Sequence, residues 1–194
     1  RKNLLLNGDF RVAQRGAGPF TSTSFVVNND DAYLLDNWIF LADGADTCDV
    51  SQTSVANAPT GSYAGIDLDI ETANRKFGIL QVIEARDARR AIGGTVSLSF
   101  KARVVGTTIA NIRAAIISWD GTADTVTSDI ISAWGATGTN PTLVANWTYE
   151  NTPANLAVTT SYQTFRVENI AVDTASTTNV GVFIWNDDAT VDVA

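Results

Sequence analysis

The chain has 194 residues and a formal net charge of −8, and 45% of its residues are hydrophobic. This length suits one domain of sandwich size, and an apolar fraction of this size argues against disorder. Because the acidic balance repels phosphate and no stripe of Lys and Arg offsets it, nucleic-acid binding is excluded. No apolar run approaches the length of a membrane-spanning helix, so no membrane insertion is expected.

The chain opens on an apolar run that ends in a turn signal. Residues 4–6 are three leucines, residues 7–9 are Asn-Gly-Asp, and Phe10 follows at once. Asn-Gly is a strong turn signal. The segment therefore predicts a first strand that reaches a sharp corner and turns Phe10 back into a core.

Alternation of apolar and polar residues predicts the strands that follow. It is clearest over residues 96–104, where every second residue is apolar. The predicted strands cover residues 36–42, 47–53, 62–70, 77–85, 96–104, 109–119, 162–172, 180–185 and 190 onward. Only residues 124–134 and 153–158 could hold a short helical turn. This pattern predicts an all-β, antiparallel β-sandwich, with a jelly roll as the first choice.

Residues 120–160 form a polar stretch with no obvious strand. A loop of this length usually carries function or an assembly contact. We therefore predict a single jelly-roll domain over residues 1–194, with a long loop insert at about residues 120–160. The chain begins at Arg1 and stops at Ala194 within a strand pattern, so we expect a fragment of a longer polypeptide.

The composition removes several kinds of active site. With no histidine, Ser-His-Asp and Cys-His arrangements cannot form within the chain. Cys48 is the single cysteine, so no internal disulfide forms, and we expect it to pack as a small buried apolar group. The absence of disulfides agrees with synthesis in a reducing cytoplasm.

The opening resembles a known family of jelly rolls. After the Asn-Gly-Asp-Phe corner come Gln14-Arg15-Gly16 and the run from Tyr33 to Asp36-Asn37-Trp38. This series resembles carbohydrate-binding-module-like jelly rolls in tail fibres and other surface appendages of tailed bacteriophages. Ala13 stands where that family often has an aromatic residue, and Asn37 where it often has Arg.

The insert carries the same resemblance. Such phage modules have a Trp-Gly, Asn-Pro-Thr and Asn-Trp-Thr series, which this chain matches at 134–135, 140–142 and 146–148. The resemblance implies a non-catalytic binding or structural module of a virion, made in the bacterial cytoplasm. It also implies a homotrimer and contacts with other virion proteins.

The insert supplies the candidate glycan-binding residues. Trp and Tyr rings stack on the apolar faces of sugars, and amides bond the hydroxyls. We expect Trp134, Trp147 and Tyr149 to form the stacking platform, with Asn140 and Asn146 as hydrogen-bond partners. The ligand would be a host-surface polysaccharide or other glycan. The alternative role for these rings is to hold the insert on the sheet.

Two further hypotheses remain open. The first is a purely structural virion component: a decoration, collar or fibre-anchoring domain whose insert contacts neighbouring subunits. The second is a glycan-cleaving enzyme, because Asp67, Asp69 and Glu71 share one strand face and look similar to the acidic trio of laminarinase-like glycoside hydrolases. The alternative for that trio is a strand with an acidic solvent face, while Ile66, Leu68 and Ile70 fill the core.

A structural calcium ion is also possible. Sandwich binding modules often hold one between their first and last strands with oxygen ligands. The candidates here are Asp9 and Asp192, with the acidic loops at 28–31 and 187–188. Arg11, directly after the corner, would oppose a cation.

Overall fold

The computed structural model describes residues 3–21, 32–45, 47–106 and 109–189. Within these ranges the chain is almost entirely β-structure. The elements are β1 (Ala32–Tyr33), β2 (Ile39–Ala42), β3 (Cys48–Gln52), β4 (Ile66–Ile70), β5 (Phe77–Ile83), α1 (Ala85–Ala88), β6 (Thr95–Ala102), β7 (Asn111–Trp119), β8 (Ile131–Ala133), β9 (Thr142–Leu143), β10 (Trp147–Tyr149), β11 (Leu156–Ala157), β12 (Gln163–Ala171) and β13 (Asn179–Asn186).

The strands form an antiparallel sandwich of two layers, as predicted for a jelly roll. One layer, the large sheet, has the order β1-β2-β5-β13-β7-β10, and β11 also pairs with β7. The second layer consists of two separate pairs, β3 with β4 and β6 with β12. β8 and β9 pair with each other within the insert. The chain crosses repeatedly between layers, so most neighbouring strands are distant in sequence.

The large sheet is covered on both faces. Ile117 of β7 packs in one apolar cluster with Ile130 and Trp134 of the insert. Its neighbour Ile116 points to the other face and packs in a cluster with Leu98 of the second layer. The insert therefore covers the outer face of the large sheet, and the second layer covers the inner face.

The eight strands predicted between residues 36 and 185 are confirmed as β2 to β7, β12 and β13, with small differences at their ends. The strand predicted from residue 190 lies outside the described residues. Cys48 is fully buried, as expected. The corner is confirmed as well: Phe10 adopts a φ of 50°, and its ring centroid lies 5.3 Å from that of Trp38.

The predicted first strand is wrong, because residues 4–6 join no sheet. Side chains supply the hydrogen bonds of Leu5 and Leu6 instead, and the Leu5 N–H donates to Asn3 Oδ1 at 3.1 Å. Gln81 accepts from the Leu6 N–H at 2.7 Å and donates to the Leu6 carbonyl at 2.8 Å. Leu4 and Leu5 pack against the cluster between the layers.

The insert differs from the predicted strandless loop. It contains β8 to β11, and the segments given to possible helical turns hold β8 and β11. The one helix of the described residues is α1, whose Ala88 is fully buried. Strands of two or three residues carry too little alternation to be read from sequence, and β10 and β11 exist because the edge of β7 pairs with them.

Candidate functional site

The insert lays its tryptophans on the outer face of the large sheet. Trp147 is 5% exposed, and its ring centroid lies 5.4 Å from that of Trp119. Trp134 is 7% exposed and lies 6.1 Å from the ring of Phe183. These rings supply much of the apolar area that holds the insert in place.

Two of the other predicted glycan-binding residues make hydrogen bonds within the chain. The Tyr149 hydroxyl donates to the Pro141 carbonyl at 2.8 Å. The Asn140 Oδ1 accepts from Arg113 Nη1 at 2.6 Å. Asn146 adopts a φ of 71°, which suits an asparagine in a tight turn. Contact of these residues with a glycan stays a prediction.

Two buried cations fix the turn at residues 136–139. Arg113 Nη2 donates to the Gly138 carbonyl at 2.9 Å. Lys76 Nζ donates to the carbonyls of Ala136 and Thr139 at 2.8 and 3.1 Å. Lys76 is fully buried, and this burial lowers the pKa of its ammonium group. The carbonyl oxygens of the turn thus offset part of the cost of burying a charge.

A cavity of about 320 Å³ lies between the end of β2 and strand β8 of the insert. Its lining combines one aromatic residue, one acidic residue and one hydroxyl-bearing residue. The lining residues are Ala42, Asp43, Gly44, Ile131, Ser132, Ala133 and Trp134.

This combination suits a sugar, since Trp134 offers an apolar wall and Asp43 and Ser132 offer hydrogen-bonding groups. Of the five predicted glycan-binding residues, Trp134 is the one that lines this cavity. Sequence reasoning missed Asp43 and Ser132. They lie on segments far apart in the chain, and only the seating of the insert on the large sheet brings them together.

A larger cavity, of about 840 Å³, lies where the second layer is divided. All five residues of β4 line it, and so do residues 98–102 of β6. Ile79 and Ile184 of the large sheet contribute apolar surface to the lining. Because consecutive residues of both strands line the cavity, it lies along the edges of β4 and β6 and not along one face.

The segment that joins β3 to β4, residues 53–65, reaches across to the other half of the second layer. We call it the strap. The Tyr162 hydroxyl donates to the Asn57 carbonyl at 2.7 Å, and Lys101 Nζ donates to the Thr60 carbonyl. The Arg103 guanidinium lies 4.8 Å from the centroid of the Tyr162 ring. The strap therefore crosses part of the cavity, and hydrogen bonds hold it at Asn57 and Thr60.

Two residues of the acidic trio, Asp67 and Asp69, have the exposure of the solvent face of a half-buried strand. Asp67 and Asp69 are exposed, and Ile66, Leu68 and Ile70 alternate with them and pack against an apolar cluster. Asp69 lies opposite Asp49 in the β3–β4 register, and Asp67 lies opposite Ser51. This arrangement is that of a half-buried strand with an acidic outer face.

A calcium ion held by Asp9 and Asp192 stays a prediction. Asp9 forms an ion pair with Arg11 at 3.1 Å, and Asp192 lies outside the described residues. Over the ranges that the structure covers, no three acidic or thiol side chains form a group that could hold a metal ion. In the same ranges no helix has the length and apolar character that crossing a bilayer requires.

Comparisons with solved structures identify proteins of similar fold. No protein-family model matches the chain, and no curated protein matches its sequence. The fold is similar to that of the enzymatically active domain of tailspike protein 4 from bacteriophage CBA120, with a TM-score of 0.51 and 13% sequence identity. The similarity covers 97% of this chain and 20% of the tailspike chain, so this chain spans about a fifth of the tailspike's length.

Two carbohydrate-binding structures are also similar at lower scores. TmCBM61, solved in complex with β-1,4-galactotriose, has a TM-score of 0.49 and 12% identity over 98% of this chain and 91% of that one. The xylan-binding domain of carbohydrate-binding module family 22 has a TM-score of 0.47 and 12% identity, over 84% and 85%. At these identities the likeness is one of fold alone.

Proposed function

We propose that the chain is a non-catalytic module of a phage virion protein that binds a host-surface glycan. The observation that carries the glycan part is the cavity of about 320 Å³ that Trp134, Asp43 and Ser132 line together. A space of this size is at the lower end of the range for small-molecule sites, which suits one or two sugar units.

The non-catalytic part rests on the chemistry of the chain. It has no histidine, and the acidic trio has the geometry of a solvent-facing strand surface. A Glu71→Gln variant that releases the same products from polysaccharide as the wild type would argue against catalysis by the trio. Turnover that depends on the trio would instead establish the enzyme hypothesis.

The virion part is supported by the opening corner and insert motifs and by a fold similar to that of a phage tailspike domain. Binding at one small site is weak, and a trimer or a virion array would raise it through effective concentration. A location in the tail fibre, the tail spike or the capsid surface is part of the proposal. Antibody labelling of intact particles that carry the full polypeptide tests it.

The glycan test compares two exposed alanines. Ala133 lines the cavity and Ala154 does not, and both are exposed. In an array of bacterial surface polysaccharides, probed with the chain displayed as a tetramer on streptavidin, we expect Ala133→Trp to abolish the response by filling the cavity. Ala154→Trp should leave the response unchanged.

A milder variant gives the same information without adding bulk. Asp43→Asn should weaken binding by about tenfold, the effect of one lost hydrogen bond to a hydroxyl of the ligand. Ser132→Ala is less specific, because the Ser132 hydroxyl also donates to the Thr142 carbonyl within the insert. No response from the wild-type tetramer to any polysaccharide would refute the glycan role. If the response survives Ala133→Trp, the glycan binds elsewhere on the chain. The other predicted insert residues would then be the next candidates.

The structural-component hypothesis stays the alternative to the glycan role. Trp134 and Trp147 are buried against their own sheet, which supports a packing role for these rings. If the tetramer binds no glycan while the chain assembles with other virion proteins, this second function replaces the first.

A further inference from the structure

One edge of β4 carries unpaired backbone groups. Thr53 N donates to Gly65 O, and Glu71 N donates to Thr47 O. In the β3–β4 register these bonds show that the odd-numbered residues form the hydrogen-bonded pairs. By the alternation of an antiparallel ladder, Asp67 and Asp69 then direct their backbone groups to β3. The N–H and C=O groups of Ile66, Leu68 and Ile70 point to the opposite edge, which no strand of the described residues covers.

The same argument applies to β6. Val172 N donates to Gly94 O and Val104 N donates to Thr159 O, so the even-numbered residues of β6 direct their backbone groups to β12. The peptide groups of Ser97, Ser99 and Lys101 point the other way. Across the part of the chain that the structure covers, this edge of β6 also has no partner strand.

Both unpaired edges line the same cavity of about 840 Å³. The lining includes β4 over its whole length, residues 98–102 of β6, and apolar side chains such as Ile79 and Ile184 of the large sheet. The backbone donors and acceptors of an unpaired strand edge are a ready template for pairing with another chain. Two rows of them around one partly apolar cavity therefore indicate a site that a partner completes.

We propose that this cavity accepts an extended polypeptide segment from a partner protein, which adds a strand to the second layer. An extended peptide offers alternating N–H and C=O groups at the repeat of a β-edge, which no other common ligand reproduces. A five-residue strand such as β4 spans about 17 Å, and this sets the length of the segment that pairs.

The side chains around the edges define the chemistry of that segment. Inward positions would meet apolar side chains, among them Leu68 and Phe100. Outward positions would lie beside the acidic row of β4 on one side and Lys101 on the other. Uncharged polar residues suit that place better than either charge does. The segment is therefore a run in which apolar residues alternate with Thr, Ser or Asn.

The experiment uses hydrogen exchange of the folded chain with and without a peptide of about ten residues in which Val and Thr alternate, with lysines at its ends for solubility. The expected result is slower exchange at the amides of Leu68, Ser99 and Lys101 when the peptide is present at millimolar concentration. The same peptide with alternate backbone amides methylated should bind at least about tenfold more weakly, since it lacks one row of hydrogen bonds.

A matched pair of variants tests the edge itself. Ser99→Pro removes an N–H that points to the unpaired edge and leaves the ladder to β12 intact, which is the position where a strand tolerates proline. We expect this variant to lose peptide binding and Ser99→Ala to keep it. If Ser99→Pro does not fold, the exchange experiment on the wild-type chain decides alone.

Three results would overturn the proposal. The edge amides could already exchange slowly in the free chain, which would mean that the chain itself covers the edges. The peptide could leave their exchange unchanged at millimolar concentration. An oligosaccharide could protect them where the peptide does not, which would assign the cavity to a glycan.

Discussion

Arg113 and Asp187 form a buried ion pair in which Nε lies 2.8 Å from Oδ1, with side chains 10% and 3% exposed. The Nε–H group is directed to the Asn155 Oδ1 at 2.7 Å, and Asp187 Oδ1 has no hydrogen-bond partner in the structure. The carboxylate therefore depends on the charge of Arg113. The same guanidinium anchors the insert through Asn140, so one residue ties the end of β13 to the insert.

The first prediction is that Arg113→Met lowers the free energy of unfolding by about 3–5 kcal/mol, because it removes the ion-pair partner of the buried Asp187 and leaves Lys76 as the nearby cation. Denaturant unfolding measures this loss. Adding Asp187→Asn to the variant should restore part of it. A loss below about 1 kcal/mol would mean that the pair carries little of the stability.

An exposed pair provides the control for that measurement. Arg166 and Glu168 lie 3.6 Å apart, and both side chains are more than half exposed. Solvent screens such a pair, so Arg166→Met should change the stability by less than about 1 kcal/mol.

The second prediction concerns a close approach within the large sheet. A Cβ on Gly78 would lie 2.5 Å from the Ile184 carbonyl oxygen and 2.8 Å from Trp185 Cβ. Gly78→Ala should therefore destabilise the chain by about 1–3 kcal/mol, the usual cost of overpacking. Gly8 is the control, because an added Cβ would meet only Asn3 Nδ2 at 3.9 Å, an ordinary contact distance, and Gly8→Ala should have little effect on the thermal midpoint.

The third prediction is that Cys48 is unreactive in the folded chain. Burial raises the pKa of its thiol, and the nearby carboxylates of Asp69, Asp49 and Glu71 raise it further. A thiol-specific reagent at pH 8 should label Cys48 only after unfolding. A Cys48→Ala chain with Ser99→Cys provides an exposed thiol, which should react in the folded state.

This raised pKa also gives a pH dependence. A thiol whose pKa is higher in the folded state contributes stability that is complete below its unfolded pKa of about 8.5 and is lost as pH rises through the folded value. Cys48→Ala should therefore show a smaller fall in the unfolding midpoint above about pH 8.5 than the wild type does. Equal slopes for the two chains would contradict the argument.

The fourth prediction follows from the register of β3 and β4. Asp49 and Asp69 lie directly opposite each other, and like charges in that position repel. Asp69→Asn should raise the free energy of unfolding by about 0.2–1 kcal/mol. Asp67→Asn is the control, since Asp67 lies opposite Ser51 and should give a smaller gain. Thermal unfolding at low salt compares the two.

Strands with one solvated face could be read from the sequence, and strands buried on both faces gave less information. In β6 the exposed and covered residues alternate, as the sequence predicts. In β7 the seven residues from Arg113 to Trp119 are all buried. That burial depends on the insert, which lies later in the chain, and no local sequence pattern predicts it.

The candidate glycan site could be predicted only in part for a similar reason. Trp134 stood out because a large ring in a polar segment needs a partner. Asp43 had no such signal, because it is an ordinary acidic residue at the end of a strand. Its relevance comes from the position of β8 beside it, which depends on how the insert packs on the large sheet.

The amino-acid sequence predicts the class of the fold, the corner at Phe10, the alternation of burial in half-exposed strands and the lack of imidazole chemistry. These properties follow from local periodicity, turn residues and composition. Two features become visible in the folded chain alone: the insert covers the large sheet, and the second layer is divided and leaves two backbone edges beside a cavity. Both features depend on strand pairing between distant segments. The hydrogen bonds of that pairing use backbone groups that nearly every residue type has, so the sequence carries little information about them.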